Sequence, residues 1–202
     1  VIHGDYSRYV KPEMLNSVTN YELHKGLYSG HNDHNYFEIA HTIRREFDEN
    51  GGIYKGLRLY SFVDNHDVDR IASKLNVPEH IFTDNAFIYT SGNEWGIQGR
   101  KEGGNDDPLR PAVDIEEALL HPDNPQLLKW VTLLGRIHSQ EPALADGRYQ
   151  ELLLTNRQYA FARILGEEGI VVAVNNDDRP AELCIREPLS GKSWASLIDG
   201  RE

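Results

Sequence analysis

The chain has 202 residues, enough to bury a substantial hydrophobic core as one large domain or two small ones. Its 32 acidic residues outnumber the 21 basic ones, and the net charge of −11 argues against nucleic acid or an anionic membrane as a partner. The single cysteine, Cys184, excludes an internal disulfide, and with no apolar run of about 18 residues and no leader-like start we expect a cytoplasmic protein.

Short β-type runs alternate with helical segments in the first part of the chain. Three runs predict strands: LNSVTNY at 15–21, LRLYSFV at 57–63 and AFIYTS at 86–91. This alternation is typical of a parallel α/β arrangement. Parallel sheets are covered on both faces, and so few helices would leave one face bare. We therefore expect the remainder of an α/β fold, or another chain, to cover the sheet.

Two segments predict helices. In the first, Asn35 is an N-cap with Glu38 at capping-box spacing, and Gly51–Gly52 ends the run. In the second, Asn124 is the N-cap and Pro125 occupies the first helical position. The buried stripe of this second helix is predicted to be Leu127, Trp130, Val131, Leu134, Ile137 and His138.

After residue 147 the sequence changes to β-type runs separated by turn residues. The runs lie at 148–156, 158–165, 169–176 and 181–185. Because no helical pattern intervenes, they predict an antiparallel β module. We place the domain boundary near Glu141–Pro142, with an α/β domain over 1–141 and a β-sandwich domain over 142–202.

The strand-like run at 57–63 ends abruptly in four polar residues, Asp64, Asn65, His66 and Asp67. Functional groups of parallel barrels and open sheets lie at the carboxyl ends of strands. There His66 could donate to one sugar hydroxyl and Asp67 accept from its neighbour, a contact that stabilises the transition state of glycoside cleavage. Two alternatives remain open. The motif could be a polar turn that caps a helix at 69–75, or a metal site, which needs further ligands.

The segment SFVDNHDVDRIAS, residues 61–73, resembles the fourth conserved region of the α-amylase family of glycoside hydrolases. Three flanking segments resemble, in the family's order, the chain after the general-acid glutamate (VIHGDYSRYV, 1–10), the sixth strand and its loop (SVTNYELHKGLYS, 17–29) and the eighth-strand loop (YTSGNEWGIQGRKEGGNDDPLRP, 89–111). In the last segment the family pattern is matched by Gly92, Glu94, Trp95 and Gly96. The resemblance implies a partial (β/α)8 TIM barrel, roughly strands 6–8 with their helices, followed by an antiparallel β-sandwich.

The resemblance also implies roles for individual residues. Asp67 matches the third family carboxylate, which hydrogen-bonds the sugar in subsite −1 and stabilises the transition state. His66 matches the histidine that contacts the same sugar, and Asn65 matches a position that mainly shapes the turn. Trp95 lies in a loop, where its ring could stack on a sugar face or serve a structural role. We assign Asp67 as catalytic and Asn65, His66 and Trp95 as substrate-binding.

The family's nucleophile and general acid have no match in this sequence. A retaining glycosidase needs two carboxyl groups about 5–5.5 Å apart. We therefore expect part of a retaining α-glycoside hydrolase that acts on α-1,4-linked glucans or maltodextrins and is inactive alone. The expected partners are an α-glucan oligosaccharide and the remaining half of the barrel or another chain.

Several alternatives and absences accompany this interpretation. The chain could instead belong to an α-glucanotransferase, a non-catalytic α-amylase-like binding or scaffold protein, or a His-Asp metal phosphohydrolase, whose site is carried on helices. We expect no cofactor and no resident metal. Calcium is used by some members of the family, but no residue here specifies a calcium site.

Two further segments contain residues that are typical of functional sites. HNDH at 31–34 has spacing that resembles metal-binding histidines, but it precedes a helix N-cap and is predicted to be a solvated loop. GRKEGGNDDP at 99–108 lacks the order of a phosphate-binding loop. It predicts a flexible loop at the rim of the substrate site, with Asp107 and Arg110 paired within it.

Overall fold

The computed structural model describes residues 4–88, 95–120 and 124–201. The helices in these ranges are α1 (Tyr21–Asn32), α2 (Tyr36–Phe47), α3 (Ile71–Lys74), α4 (His80–Phe87), α5 (Ile115–Leu120), α6 (Pro125–Gln140) and α7 (Pro142–Asp146). The strands are β1 (Arg148–Leu154), β2 (Gln158–Leu165) and β3 (Glu168–Asn175), and short 3-10 turns span Ser7–Tyr9 and Asp107–Leu109. None of the helices in the described ranges combines the length and apolar character needed to cross a bilayer.

Helices α1 and α2 form a closely packed hairpin. The side chain of Asn20 caps α1 by accepting a hydrogen bond from the Leu23 amide at 3.1 Å. Gly30 lets the two helices approach, because a Cβ at this position would lie 2.8 Å from Ile39 Cγ1. Leu27 and Ile39 are consequently fully buried between the helices.

The predicted parallel strands are only rudimentary. The runs at 15–21 and 57–63 meet in a single parallel bridge between Thr19 and Tyr60, flanked by hydrogen bonds from Asn20 N to Tyr60 O (2.9 Å) and from Tyr60 N to Val18 O (3.0 Å). The prediction of regular strands at 15–21 and 57–63 is therefore wrong. A parallel strand is stabilised by neighbouring strands, and no further strand pairs with these two runs within the described residues.

The third predicted strand, at 86–91, is also wrong for the residues that the structure describes. Its first two residues, Ala86 and Phe87, belong to the last turn of α4. Residues 89–91 lie outside the described residues. In the described part of the chain, the predicted strands of a partial barrel are therefore replaced by helices and two isolated parallel bridges, Val10–Leu15 and Thr19–Tyr60.

Both predicted helices are confirmed. The Asn124 side chain accepts from the Leu127 amide at 3.0 Å and Pro125 starts α6, as the sequence indicates. Helix α2 begins after Asn35, but the Asn35 side chain makes no cap hydrogen bond and Glu38 binds Lys25 and Ser29, so the predicted capping box is wrong. The helix also ends at Phe47, four residues before the predicted stop at Gly51. On α6 Leu127 is fully buried, whereas His138 is exposed, so its assignment to the buried stripe is wrong.

The C-terminal part of the chain forms one three-stranded antiparallel sheet in the order β1-β2-β3. Three of the four predicted strands are thus confirmed, with Phe161 facing Val172 across β2 and β3. The fourth run, 181–185, is not a strand. No described residue after Asn176 is buried, so this run is not packed into the core. The described residues therefore show a single sheet where a two-layer sandwich is predicted.

One hydrophobic core connects the helices to this sheet. Fully buried side chains of both parts share it, including Tyr36, Leu127 and Tyr159. Arg44 of α2 binds Glu151 of β1 through two hydrogen bonds of 2.8 and 2.6 Å. The domain boundary near Glu141–Pro142 coincides with the break between α6 and α7 and stays a prediction.

Candidate functional site

The polar motif begins with a carboxylate that serves the fold. Asp64 follows the buried pair Phe62–Val63, and its Oδ1 accepts from the Ile71 amide at 2.5 Å, capping α3. Arg70 Nη2 lies 3.4 Å from the other carboxylate oxygen, and the Asp64 side chain is 5% exposed. Burial raises the pKa of Asp64 to about 6, against the opposing effects of the Ile71 amide and Arg70. The helix-capping alternative therefore holds for Asp64.

The next three residues form a small polar cluster with a tyrosine. Asn65 Oδ1 accepts from the Asp67 amide at 2.9 Å, which closes an Asx turn. The Tyr21 hydroxyl accepts from Asn65 Nδ2 and donates to Asp67 Oδ2, both at 3.3 Å. His66 Nε2 lies 3.5 Å from Asp67 Oδ1. The structure thus brings Asn65, His66 and Asp67 together at the end of the 57–63 run.

The cluster is open to solvent on one side. The side chains of His66 and Asp67 are 62% and 51% exposed. A carboxylate and an imidazole side by side offer an acceptor and a donor to neighbouring hydroxyl groups. Tyr21 and Asn65 hold Asp67 on its other side, and the exposed face of the His66–Asp67 pair thus presents one acceptor and one donor to solvent.

Sequence reasoning missed Tyr21. Its ring packs edge-on against Phe62, with centroids 5.1 Å apart. The signal was present, because Tyr21 ends the predicted run 15–21 and the carboxyl ends of parallel neighbours share one edge.

Trp95 is not among the side chains that are bonded to one another in the cluster. It is partly buried, and no hydrogen bond or ring contact joins it to residues 65–67 within the described ranges. The neighbouring Gly96, with φ +64°, lies against Leu127 of α6. Sugar stacking by Trp95 stays a prediction, and Gly92 and Glu94 of the same pattern lie outside the described residues.

Residues 97–109, here named the rim loop, are hydrogen-bonded to residues 69–73, which follow the cluster in the chain. Within this loop Lys101 Nζ lies 2.8 Å from Asp106 Oδ1, and Arg110 lies 3.9 Å from the other Asp106 oxygen. Asp106 is thus the carboxylate that pairs with Arg110, so the predicted pairing with Asp107 is wrong. Asp107 instead accepts from the Arg110 amide through its backbone carbonyl.

The histidine segment 31–34 is not the predicted solvated loop. His31 is fully buried in α1, with Nδ1 2.8 Å from Leu27 O and 3.2 Å from Asp84 Oδ1. His34 accepts from Arg157 Nη1 at 2.8 Å. The prediction failed because α1 extends two residues into the segment, to Asn32, and packs against α4. Among the described ranges, no group of three or more His, Cys, Asp or Glu side chains could hold a metal ion.

A cavity of about 1830 Å³ lies elsewhere in the described structure, between the helices, the sheet and the C-terminal segment. Phe87, Trp130 and Phe161 contribute to its apolar lining, and residues 57–61 form part of its wall. Neither the 65–67 cluster nor Trp95 lines it. The cavity and the polar cluster are therefore distinct features.

No protein-family model and no curated protein matches the sequence. Solved structures do match. An α-amylase from Anoxybacillus shares 19% identity and a TM-score of 0.73, over 99% of this chain and 45% of that one. An α-amylase from H. orenii shares 16% identity and a TM-score of 0.73, over 90% and 43% of the two chains.

A cyclic α-maltosyl-(1→6)-maltose hydrolase from Arthrobacter globiformis shares 18% identity and a TM-score of 0.66, over 83% of this chain and 39% of that one. The chain spans less than half the length of these three solved structures. The resemblance to the α-amylase family is therefore confirmed at the level of the fold, and the chain has the fold of one part of these enzymes.

Proposed function

We propose that this chain is the sugar-holding part of an α-amylase-type glycoside hydrolase that acts on α-1,4-linked glucans or maltodextrins. The observation that carries the proposal is the cluster of Tyr21, Asn65, His66 and Asp67 at the end of the 57–63 run. The fold shared with α-amylases and a maltosyl-maltose hydrolase supports the same class of substrate.

In this proposal Asp67 holds a glucosyl ring at the bond to be cleaved. Its carboxylate accepts from sugar hydroxyls, and the contact tightens as positive charge develops on the ring, which is worth several kcal/mol in glycoside cleavage. His66 donates to a neighbouring hydroxyl of the same ring. Tyr21 and Asn65 fix the carboxylate before the sugar arrives, so less ordering is needed on binding. Trp95 provides a stacking face.

The chain is proposed to hold the sugar but not to cleave it. Asp67 alone cannot supply both the nucleophile and the proton donor that a retaining mechanism needs. Those groups would come from the rest of the barrel or from another chain placed beside the bridge at Tyr60. In support of this arrangement, the 57–61 segment makes a strand-like backbone bridge along one edge, with Thr19, and none along its other edge within the described residues.

A maltotriose titration of the ¹⁵N-labelled chain, followed by NMR, tests the proposal. We expect shifts of the amide signals at 65–67 on binding. Asp67→Asn should weaken binding by about tenfold to a hundredfold, because a charged hydrogen-bond acceptor contributes about 1.5–3 kcal/mol. Asp146→Asn is the matched control, since Asp146 is an exposed aspartate whose side chain is 57% accessible.

Equal affinity of wild type and Asp67→Asn for maltotriose would contradict the proposal. A second arm uses 4-nitrophenyl α-maltoside, from which the chain alone should release no nitrophenol above the blank. Release that persists in Asp67→Asn would place the chemistry in other residues and would contradict the assigned role.

A further inference from the structure

Arg70, just beyond the motif, joins both ends of the rim loop to the motif. Its Nε donates to Ile97 O at 3.0 Å and its Nη1 to Leu109 O at 3.3 Å. Its Nη2 faces Asp64 at 3.4 Å, and the Arg70 and Asp64 side chains are only 10% and 5% exposed. One buried guanidinium therefore holds the first and last residues of the loop against the carboxylate that caps α3.

Backbone hydrogen bonds also attach the rim loop to the segment around Arg70. The Arg70 amide donates to Gly99 O at 2.9 Å, and the Gly99 amide donates to Ser73 Oγ at 2.8 Å. A Cβ on Gly99 would lie 2.2 Å from Pro108 O, so the two limbs of the loop cross at this glycine. The first limb of the loop is thus bonded to residues 70–73 at Gly99 as well as through its end at Ile97.

The attachment brings a second polar pair beside the sugar cluster. The Lys101 amide donates to Asp69 Oδ1 at 2.6 Å, and Lys101 Nζ lies 2.8 Å from Asp106 Oδ1. The hydrogen bond to Asp106 raises the pKa of Lys101, and Asp67 adds to this rise. The hydrogen bond from Lys101 lowers the pKa of Asp106, and His66 adds to that fall. The Lys101–Asp106 pair is therefore attached to the chain at Asp69, two positions beyond Asp67.

We propose that Arg70 is a positioning residue of the sugar site, which holds the rim loop so that Lys101 and Asp106 form the wall beside Asp67. This inference rests on the proposed function. Lysine cannot replace Arg70, because an ammonium is a point charge and lacks the planar fork that reaches two carbonyls and a carboxylate at once. The role therefore depends on the geometry of the guanidinium as well as its charge.

The test compares Arg70→Lys with wild type by amide hydrogen exchange and by maltotriose titration of the same labelled samples. We expect exchange of the Gly99 and Lys101 amides to accelerate about tenfold or more, with the buried amides of α2 unchanged. The dissociation constant for maltotriose should rise about fivefold to tenfold. Arg136→Lys, a change of an exposed arginine on α6, is the matched control and should behave as wild type.

Each other outcome overturns the inference. Unchanged exchange at Gly99 and Lys101 would show that Arg70 does not hold the loop. Faster exchange with unchanged maltotriose affinity would show that the loop does not matter to the sugar, while the effect of Asp67→Asn would still uphold the proposed function. Faster exchange in α2 as well would assign Arg70 a role in global stability. Absence of binding by the wild type would contradict the proposed function itself.

Discussion

Replacing Glu46 with glutamine should stabilise the protein at alkaline pH and have little effect in acid. Glu46 lies near the end of α2, is 6% exposed and lines the large cavity. Its Oε2 accepts from Asn20 Nδ2 at 3.0 Å. Burial raises the pKa of Glu46 to about 7, and neither Arg163 nor the Asn20 hydrogen bond offsets the rise.

The sign and size of this change in stability follow from proton linkage. The unfolded chain has a glutamate pKa of 4.5 and the folded chain one of about 7, so the folded state binds this proton more tightly. The contribution to stability is fully present below about pH 4.5 and is lost as the pH rises through about 7. A shift of between two and three pKa units corresponds to about 3 kcal/mol. Glutamine cannot ionise and avoids this loss.

The assay is urea unfolding, followed by circular dichroism at about pH 4 and about pH 8. Between these conditions the free energy of unfolding of Glu46→Gln should rise relative to wild type by about 3 kcal/mol. Glu49→Gln is the control, because the Glu49 side chain is 44% exposed and should show no such change. A difference between Glu46→Gln and wild type that is the same at both pH values would refute the reasoning.

The other predictions concern α6 and its contact with the core, and the same urea titration checks both. Leu127→Ala should lower the free energy of unfolding by about 2–5 kcal/mol, because Leu127 is fully buried in the shared core. A loss below about 1 kcal/mol would show that the core does not depend on this contact. Asn124→Ala should cost about 0.5–2 kcal/mol by removing the cap on the Leu127 amide, whereas Asn124→Asp should be close to neutral. Equal losses in the two Asn124 variants would argue against the cap.

The parts of the fold that sequence predicts well are those fixed by neighbouring residues. Asn124 followed by Pro125 marks the start of α6 because both act within the first helical turn. The runs that became β1, β2 and β3 pair through short turns, so their hairpins are encoded locally.

The predictions that were wrong concern segments whose structure depends on residues far away in the sequence. The runs at 15–21 and 57–63 have strand-forming residues, but they share one bridge and lack the neighbours that a parallel sheet supplies. The run at 181–185 likewise finds no buried surface. Strand propensity alone does not reveal that a neighbouring strand or a buried surface is missing, because strand formation depends on packing.

The site shows the same division. The motif placed Asn65, His66 and Asp67 at the end of a β-type run, and the structure holds them together there. Tyr21 ends a predicted run of its own, but its hydrogen bond to Asp67 spans 46 positions, so the pattern around residue 67 did not indicate it. Arg70 was missed because its partners lie on the rim loop, and nothing local to its own segment indicates them.

The central claim is that the His66–Asp67 pair holds a glucosyl ring, and an intermolecular NOE experiment with maltotriose tests it most directly. The account predicts cross-peaks between the sugar ring protons and the imidazole protons of His66, and their loss in Asp67→Asn. Cross-peaks confined to the aromatic side chains that line the cavity, such as Phe87 and Trp130, would place the sugar elsewhere and contradict the claim.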